Sequence, residues 1–283
     1  ATETLLPNQS QAEFTGADRL TSFDSDGFSL GSNDGVNKNT DAIVAWNWKA
    51  GTTFDPKTDG TIAVASGSKN TTAGFSIVKY TGESGSPTVG HGLGVTPSII
   101  IIKQLTDGYT YEWNVASLKI GSGAKRLVLN TNAAQTTGSG LDSPYIGSSV
   151  FTLSDGTSRT NDGSSDYIAY CFASIEGYSK IFSFTGTGVN PGPFLYTGFK
   201  PAVVIGKCIG ATGGWEIIDS ARNTYNVSGA SLYPNTNAGE SVSTTTGLDF
   251  LSNGIKVRTT SGSYNAANTM LAIAFAESPF KYS

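Results

Sequence analysis

The sequence predicts an all-β protein made of tandem β-sandwich units of the jelly-roll type. Glycine accounts for 35 of the 283 residues and 14% of the residues are charged, whereas about 25% are charged in an average globular protein. Short apolar runs alternate with polar residues in the two-residue period of half-buried strands. Residues that favour helices are scarce, so the composition is typical of short strands joined by tight turns.

An internal repeat of about 104 residues relates two parts of the chain. Residues 94–103 match residues 198–207 without a gap, at an offset of 198 − 94 = 104. Further along the chain, Trp113 falls opposite Trp215. A fixed period of self-similarity is typical of repeated structural units, so we expect the two parts to fold alike and to superpose.

The repeat divides the chain into four parts. Residues 1–50 form a partial leading repeat that contains the last hairpin of a unit. Residues 51–73 are rich in Gly, Thr, Ser, Asp and Lys and form a connecting loop. The first β-sandwich repeat covers residues 74–177 and the second covers residues 178–283. Either the chain begins inside a longer array, or residues 1–50 complete a sheet whose other strands lie elsewhere.

The strands of each part are predicted from their apolar periods. In the leading repeat, a hairpin at residues 23–30 precedes a strand at residues 41–48. Residues 99–102 are four isoleucines without alternation, which predicts a central strand covered on both faces. In the first whole repeat, alternation predicts strands at residues 75–80, 111–115, 126–129 and 167–172.

Asp-Gly and Asn-Gly pairs at matching points of the repeat predict hairpin turns with the Gly at positive φ. These pairs are Asp26-Gly27, Asp155-Gly156 and Asn253-Gly254. The run from Asp24 to Gly27 also resembles the opening of a calcium loop, but Asn33 stands where an EF-hand needs a bidentate Glu. Turn chemistry is the preferred interpretation, and a calcium-binding loop is the alternative.

The charge balance argues against a protein that binds polyanions through a basic face. The chain has 18 Lys and Arg against 22 Asp and Glu, a net charge of −4, so nucleic acid is not an expected partner. No apolar run approaches the ~18 residues of a membrane span, so membrane insertion is not expected either.

The sequence indicates no catalytic, cofactor-binding or metal-binding residue. The single histidine, His91, lies between glycines ahead of a strand, which favours a hydrogen-bonded structural residue over a general base. Cys171 and Cys208 lack metal-ligand spacing, and neither position is Cys in the other repeat, so we expect two unbonded thiols. The acidic residues show no paired spacing of the kind that hydrolases use. Those considered are Asp142, Asp155, Asp166, Glu176 and Asp219.

Aromatic residues recur at fixed positions of the repeat. Trp113 and Trp215 share one position, and Trp46 and Trp48 have as counterparts Tyr170 and Phe172 and then Ile273 and Phe275. A position filled by Trp, Tyr or Ile is selected for bulk and apolarity, so we expect these side chains to pack in cores. Stacking of the tryptophans on sugars is the alternative.

Several motifs carry a resemblance to a known family. They are AWNWKAG at residues 45–51, GFSIVKYTG at 74–82, VGHGLGVTP at 89–97, EGYSK at 176–180, PFLYTGFKP at 193–201, DSARN at 219–223 and AFAESPFK at 274–281. From about residue 27 to its end, the chain resembles a repeated C-terminal β domain in virion structural proteins of marine tailed bacteriophages such as cyanophages. Where that family often has Cys beside the first Trp, this chain has Asn47.

The resemblance implies a non-enzymatic virion structural protein, exposed on the particle surface as a tail fibre, an appendage or a capsid-surface component. Host attachment or display is the implied role, and no cofactor is implied. The expected partners are further copies of the chain, with a trimer as the usual fibre arrangement, other virion proteins, and a host surface glycan or protein. Ligand contact is expected on the loops at residues 132–149 and 237–247. A secreted carbohydrate-binding adhesin is the main alternative, and a polysaccharide-degrading enzyme is a weaker one.

Overall fold

The computed structural model describes residues 2–106, 110–121, 125–137, 146–154 and 159–279. In these ranges the chain forms 23 β-strands, one α-helix of four residues and one 3-10 helix of three residues. The prediction of an all-β protein is confirmed. No helix in the described part of the chain is long and apolar enough to cross a membrane.

The leading segment, residues 2–50, contains two β-hairpins. It comprises β1 (Glu3–Thr4) paired with β2 (Phe14–Thr15), β3 (Leu20–Phe23) paired with β4 (Phe28–Leu30), and α1 (Asp34–Asn37). Residues 41–50 have no regular secondary structure. The strand predicted at residues 41–48 is therefore wrong, because no described strand lies beside this stretch to share a ladder of backbone hydrogen bonds.

The first sheet has eight antiparallel strands in the order β12-β11-β10-β9-β14-β7-β6-β5. Their bounds are β5 (Thr52–Phe54), β6 (Ala65–Asn70), β7 (Phe75–Thr81), β9 (Ile99–Gln104), β10 (Asn114–Ser117), β11 (Lys125–Val128), β12 (Thr136–Thr137) and β14 (Asp166–Phe172). A separate pair, β8 (Thr88–Gly90) and β13 (Val150–Thr152), covers one face of this sheet.

The connecting loop predicted at residues 51–73 is wrong. This stretch contains β5, a 3-10 helix (Pro56–Thr58) and β6, and β6 pairs with β7 from Ala65 opposite Tyr80 to Asn70 opposite Phe75. Its Gly, Ser and Thr residues resemble a loop in composition, but a strand needs only backbone groups to extend a sheet. β5 is the edge strand and β6 lies between it and β7, and most side chains of both strands are exposed or half-buried, which suits polar residues.

The second sheet has six strands in the order β15-β23-β17-β18-β19-β20. Their bounds are β15 (Ser179–Thr185), β17 (Pro201–Cys208), β18 (Trp215–Asp219), β19 (Ala230–Leu232), β20 (Ser241–Val242) and β23 (Thr269–Ala276). A three-stranded sheet, in the order β16-β22-β21, covers one face. It consists of β16 (Phe194–Tyr196), β21 (Leu248–Leu251) and β22 (Gly254–Val257).

The two large sheets share their strand order and their register. The order β7-β14-β9-β10-β11-β12 in the first sheet corresponds to β15-β23-β17-β18-β19-β20 in the second. Ile102 lies opposite Asn114 in the first sheet, and the residues at the matching sequence positions, Gly206 and Glu216, lie opposite each other in the second. The internal repeat stays a prediction, and this correspondence supports it.

Three apolar cores lie between the layers of β-strands. One lies between the first sheet and the β8–β13 pair, a central core lies between the two large sheets, and a third lies between the second sheet and its three-stranded cover. In β9, Ile100 and Ile102 enter the first core, whereas Ile99 and Ile101 face the central core. The prediction of a central strand covered on both faces is confirmed. Full burial of one such side chain contributes about 1.5–3 kcal/mol.

The hairpins at Asp26-Gly27 and Asn253-Gly254 form where predicted, between β3 and β4 and between β21 and β22. The predicted positive φ is wrong for both Gly27 and Gly254. Position 254 requires glycine because there is no room for a side chain: an added Cβ would lie 2.3 Å from the carbonyl oxygen of Leu195. At Gly27 the surroundings are open within 4 Å. The pair Asp155-Gly156 lies outside the described residues.

Candidate functional site

Two fully buried lysines, Lys103 at the end of β9 and Lys207 near the end of β17, occupy matching places in the two sheets. The Nζ of Lys207 donates to the carbonyl oxygens of Cys208, Gly213 and Ala133, at 2.8 Å in each case. Three acceptors satisfy the three N–H donors of an ammonium group. Ala133 belongs to the first repeat, so Lys207 binds the unit that precedes its own.

Lys103 makes the same kind of contact with the leading segment. Its Nζ donates to the carbonyl oxygens of Gln104, at 2.9 Å, and Ser10, at 3.0 Å. Burial lowers the pKa of Lys103 and of Lys207 to about 8. Neither ammonium forms an ion pair with an acidic residue in the described ranges. Each buried ammonium group is therefore stabilised by hydrogen bonds to backbone carbonyl oxygens alone.

The indole groups of Trp113 and Trp215 repeat the pattern. The Nε1 of Trp113 donates to the carbonyl oxygens of Leu6 and Gln9, both at 3.1 Å, in the leading segment. The Nε1 of Trp215 donates to the carbonyl oxygen of Val128, at 2.9 Å, in the first repeat. Each tryptophan thus binds the backbone of the preceding unit through its indole N–H, and one such hydrogen bond contributes about 0.5–1.5 kcal/mol.

An asparagine places each tryptophan within its own unit. The backbone N–H of Trp113 donates to Oδ1 of Asn130, and the backbone N–H of Trp215 donates to Oδ1 of Asn235, both at 3.0 Å. We call the combined contacts between units the two interlocks. The first interlock joins Lys103 and Trp113 to residues 6–10, and the second joins Lys207 and Trp215 to residues 128–133.

Three aromatic rings from different parts of the chain meet in the central core. Trp48 lies 6.0 Å from Phe172 and 5.2 Å from Phe275, and Phe172 lies 6.0 Å from Phe275, measured between ring centroids. All three pairs are edge-to-face. These residues occupy one position of the predicted repeat, so matching side chains of the leading segment and both units form a closed triangle.

A groove of about 1260 Å³ opens between the leading segment and the two large sheets. Its walls are mainly apolar. The first sheet contributes Ile77, Ile101 and Tyr170, the second contributes Ile205, Ile217 and Leu232, and the leading segment contributes Pro7, Asn8, Trp46 and Trp48. Tyr233, Pro234 and Ala238 line the end of the groove beside the second sheet.

Residues 1–279 match the sequence profile of a family described as a domain of unknown function, DUF7483. The chain belongs to the DUF7483 family. No curated protein and no solved structure matches it.

The one histidine of this DUF7483 chain is held inside the fold. His91 Nε2 lies 3.2 Å from the carbonyl oxygen of Gly147, and Nδ1 accepts a hydrogen bond from Leu93 N–H at 3.3 Å. Burial lowers the pKa of His91. In the second unit, Thr197 directly follows β16 as His91 directly follows β8, and its Oγ1 accepts from Phe199 N–H at 3.4 Å. A threonine can therefore supply the same turn contact, which favours a structural role for the imidazole.

The acidic residues considered from the sequence are not brought together. Asp166 accepts from the Thr81 hydroxyl at 2.6 Å, Glu176 is exposed, and Asp219 pairs with Arg222 at 2.7 Å. Asp142 and Asp155 lie outside the described residues.

The DUF7483 chain uses Asp24 as a turn residue. Its carboxylate accepts hydrogen bonds from the Ser22 and Ser29 hydroxyls, each at 2.8 Å, and these bonds lower the pKa of Asp24. In the described part of the chain, no group of three or more His, Cys, Asp or Glu side chains is arranged to hold a metal. Cys171 and Cys208 are both buried and unbonded, as predicted.

The interlocks were not predicted from the sequence. The signal that points to them is a further match within this DUF7483 chain: Leu5-Leu6-Pro7-Asn8 corresponds to Leu232-Tyr233-Pro234-Asn235. The match is confined to a few residues. The contacts are made by backbone carbonyl groups, which every residue type carries, so the sequence alone does not identify them. The match supports the predicted relation between the leading segment and the repeat.

Proposed function

We propose that this chain is a non-enzymatic structural building block of a tailed-phage particle, exposed on a tail fibre, an appendage or the capsid surface and used for host attachment or display. The observation that carries the proposal is the pair of interlocks. In each of them, buried donors of one unit bind backbone carbonyls of the unit before it. Such contacts hold neighbouring units in one fixed orientation, as a particle component under mechanical stress requires.

The use of charged groups also supports a structural role. Lys103, Lys207 and His91 are fully buried and bound to the protein's own backbone, so they are not available to a substrate. A low charged fraction of 14% leaves a surface of small neutral polar groups. Such a surface limits nonspecific ionic adsorption, which suits a protein exposed on a particle.

Mass spectrometry of intact particles tests the proposal. Phage from the source of the sequence would be purified by density gradient, and each protein band identified. We expect the chain in stoichiometric, multiple copies, with antibody labelling on the outside of the particle. Absence from intact particles contradicts the proposal. So does hydrolysis of host polysaccharide that is abolished by a single substitution of Asp166, Glu176, Asp219 or His91.

Self-association and contact with other virion proteins belong to the same proposal. Fibres and shells repeat one surface through symmetry, and a trimer is the usual fibre solution. Sedimentation equilibrium of the purified chain should yield a closed oligomer, with a trimer as the expected state. A strictly monomeric chain at all concentrations would count against a self-assembling fibre segment.

A second candidate function is that of a carbohydrate-binding adhesin. The observation that favours it is an exposed aromatic pair on β16, where Phe194 and Tyr196 are 46% and 59% exposed. The Nζ of Lys180 lies 5.1 Å from the centre of the Tyr196 ring. Exposed rings beside a cation can stack on sugars. Glycan-array binding that Tyr196→Ala removes, together with absence from phage particles, would favour this candidate.

A further inference from the structure

We propose that the groove is a docking site for a two-stranded β segment of the same sequence type as β17 and β18, carrying one lysine and one tryptophan. The starting observation is the form of the leading segment. Its hairpin β1–β2 has the register of β19–β20: Thr4 lies opposite Phe14, and Ser231 lies opposite Ser241 at the matching positions.

The second hairpin of the leading segment matches a hairpin of the second unit in the same way. Phe23 lies opposite Phe28 in β3–β4, and Phe250 lies opposite Ile255 in β21–β22. Trp48 then takes the place of Phe275 in the aromatic triangle. The leading segment therefore presents the parts of a unit that correspond to β19–β23.

In the second sheet, β17 and β18 lie between β23 and β19. In the leading segment, the corresponding place lies between residues 41–50 and β1, and no described strand occupies it. The groove is this place, because its lining includes Pro7 and Asn8, which follow β1, and Trp46 and Trp48, which belong to residues 41–50. A pair of strands inserted here would give residues 41–50 the neighbour that they lack.

The groove also carries the acceptors of a third interlock. In the first interlock, the carbonyl oxygen of Leu6 accepts from Gln9 N–H and from the Trp113 indole. At the matching position, the carbonyl oxygen of Tyr233 accepts from Thr236 N–H at 3.1 Å. No second donor from the described residues reaches this oxygen, so it is free to accept an indole N–H.

The acceptor for the lysine is present as well. Ala133, which binds Lys207 in the second interlock, corresponds to Ala238 in the second unit. Ala238 lines the groove, and its carbonyl oxygen has no donor among the described residues. Asn8 corresponds to Asn130 and Asn235, which each hold the backbone N–H of a tryptophan. The groove is thus continuous with both interlocks, and its Tyr233 and Ala238 carbonyl oxygens match the acceptors of the second interlock, Val128 and Ala133.

These groups define the chemistry of the occupant. Its groove-facing side must be apolar at alternate positions, as Ile205, Trp215 and Ile217 are in β17 and β18. It must carry a tryptophan to reach Tyr233 and a lysine to reach Ala238. Without the lysine and the indole N–H, an apolar strand pair would leave both carbonyl oxygens buried and unpaired, which is unfavourable.

Peptide binding to the full chain tests the proposal. The probe is a fluorescein-labelled peptide of residues 199–220 with Cys208→Ser, followed by fluorescence anisotropy as the full chain is added. We expect saturable binding at one peptide per chain. The matched peptides Trp215→Phe, which keeps a ring but loses the N–H, and Lys207→Met, which keeps the stem but loses the ammonium, should each bind at least about fivefold more weakly.

Hydrogen–deuterium exchange locates the bound peptide. Protection is expected in β1 and at residues 232–238, and unchanged exchange is expected in β16 (Phe194–Tyr196), which lies on the opposite face of the second sheet. Equal affinity of the three peptides, protection elsewhere, or no binding overturns the proposal. Sedimentation of the chain alone tests the other occupant, which is a second copy of the chain. A dimer whose groove is protected from exchange would assign the groove to that copy and overturn the proposal.

A fused form keeps the test informative if the free peptide aggregates. Residues 199–220 would be joined ahead of residue 1 through a flexible Gly-Ser linker, and thermal unfolding measured. A rise in Tm is expected, and the Trp215→Phe and Lys207→Met versions of the fused segment should each lose most of it. No rise in Tm, or an equal rise in all three, overturns the proposal. These measurements are made in vitro, so their outcome is independent of whether the chain belongs to a phage particle.

Discussion

The rings of Trp48 and Phe275 lie 5.2 Å apart at an angle of 61°, although one residue belongs to the leading segment and the other to the last strand of the second sheet. An edge-to-face aromatic pair contributes about 0.5–1.5 kcal/mol beyond the burial of its area. Because Phe172 of the first sheet contacts both rings, the cluster joins three parts of the chain at one point.

Loss of the Trp48 ring should destabilise the whole chain. We expect Trp48→Ala to lower the free energy of unfolding by about 2–3 kcal/mol, because a cavity forms beside Phe172 and Phe275. The control is Tyr225→Ala, which removes a ring that is 84% exposed and should change stability by less than about 0.5 kcal/mol. Urea unfolding followed by circular dichroism measures both. Equal effects of the two variants would contradict the role of the triangle.

The two turn glycines should differ in their tolerance to a methyl group. Gly254→Ala places a Cβ 2.3 Å from the carbonyl oxygen of Leu195 and should cost about 2–3 kcal/mol of stability, because a backbone contact cannot relax freely. Gly27→Ala meets no atom within 4 Å and should be nearly neutral. Thermal unfolding of the two variants gives the comparison, and a neutral Gly254→Ala would show that β16 and β22 can separate at this point.

The stability of the chain should fall in mild acid because of His91. Burial lowers its pKa below the ordinary value of 6.5, so in this range the unfolded chain binds a proton before the folded chain does. Stability is therefore full above pH 6.5 and falls as the pH drops towards the folded pKa, by at most about 1.4 kcal/mol per pH unit. His91→Thr, which introduces the residue type that Thr197 supplies in the second unit, should remove this dependence between pH 6.5 and 5. An NMR titration of the single histidine that gives a pKa above 6.5 would contradict the prediction.

The buried lysines should make the chain more stable in mild alkali. Their pKa values are about 8, against 10.5 for a free side chain, so the unfolded chain holds more protons above pH 8. The cost of burying the charge is fully present below pH 8 and decreases as the pH rises, with a combined gain of about 1–2 kcal/mol between pH 8 and 9. Above that range, buried Cys171 and Tyr80 oppose the gain, because burial raises their pKa values.

Urea unfolding at a series of pH values measures this gain, and Lys207→Met should halve it. That variant should also be less stable than the parent at pH 7, by about 2–3 kcal/mol, because the carbonyls of Ala133, Cys208 and Gly213 lose a charged donor. A gain that is unchanged in Lys207→Met would show that other groups cause it.

Both thiols should be unreactive in the folded protein. Burial raises the pKa of Cys171 to about 12, and Cys208 is fully buried, so neither should react with a disulfide reagent under native conditions. After denaturation without a reductant, two thiols per chain should react. Thr72→Cys, at an exposed position, is the control that reacts in the folded state. Fewer than two thiols in the denatured chain would indicate a disulfide.

Strands with an apolar alternation were predictable, and strands without one were not. The central strand β9 was identified because four isoleucines need cover on both faces. In contrast, apolar alternation does not predict β5 and β6, because these exposed or half-buried strands are held by backbone partners rather than by apolar side chains. Residues 41–48 show the opposite error, since their aromatic pattern suits a strand but no neighbour is present in the described chain to pair with it.

The candidate site was less predictable than the fold. Trp113 and Trp215 were recognised as core residues, and both are buried. Their partners are carbonyl oxygens of Leu6, Gln9 and Val128, and every residue type offers a carbonyl. The interlocks therefore depend on which backbone segments the fold brings together, and that arises from tertiary packing.

The triangle of Trp48, Phe172 and Phe275 limits how many units can be joined in this way. In a solenoid, each repeat meets only two neighbours, and further repeats extend the stack without disturbing it. Here each of three matching rings already contacts the other two. A fourth ring has no vertex to occupy, so an extra unit would have to open the triangle or start a second one.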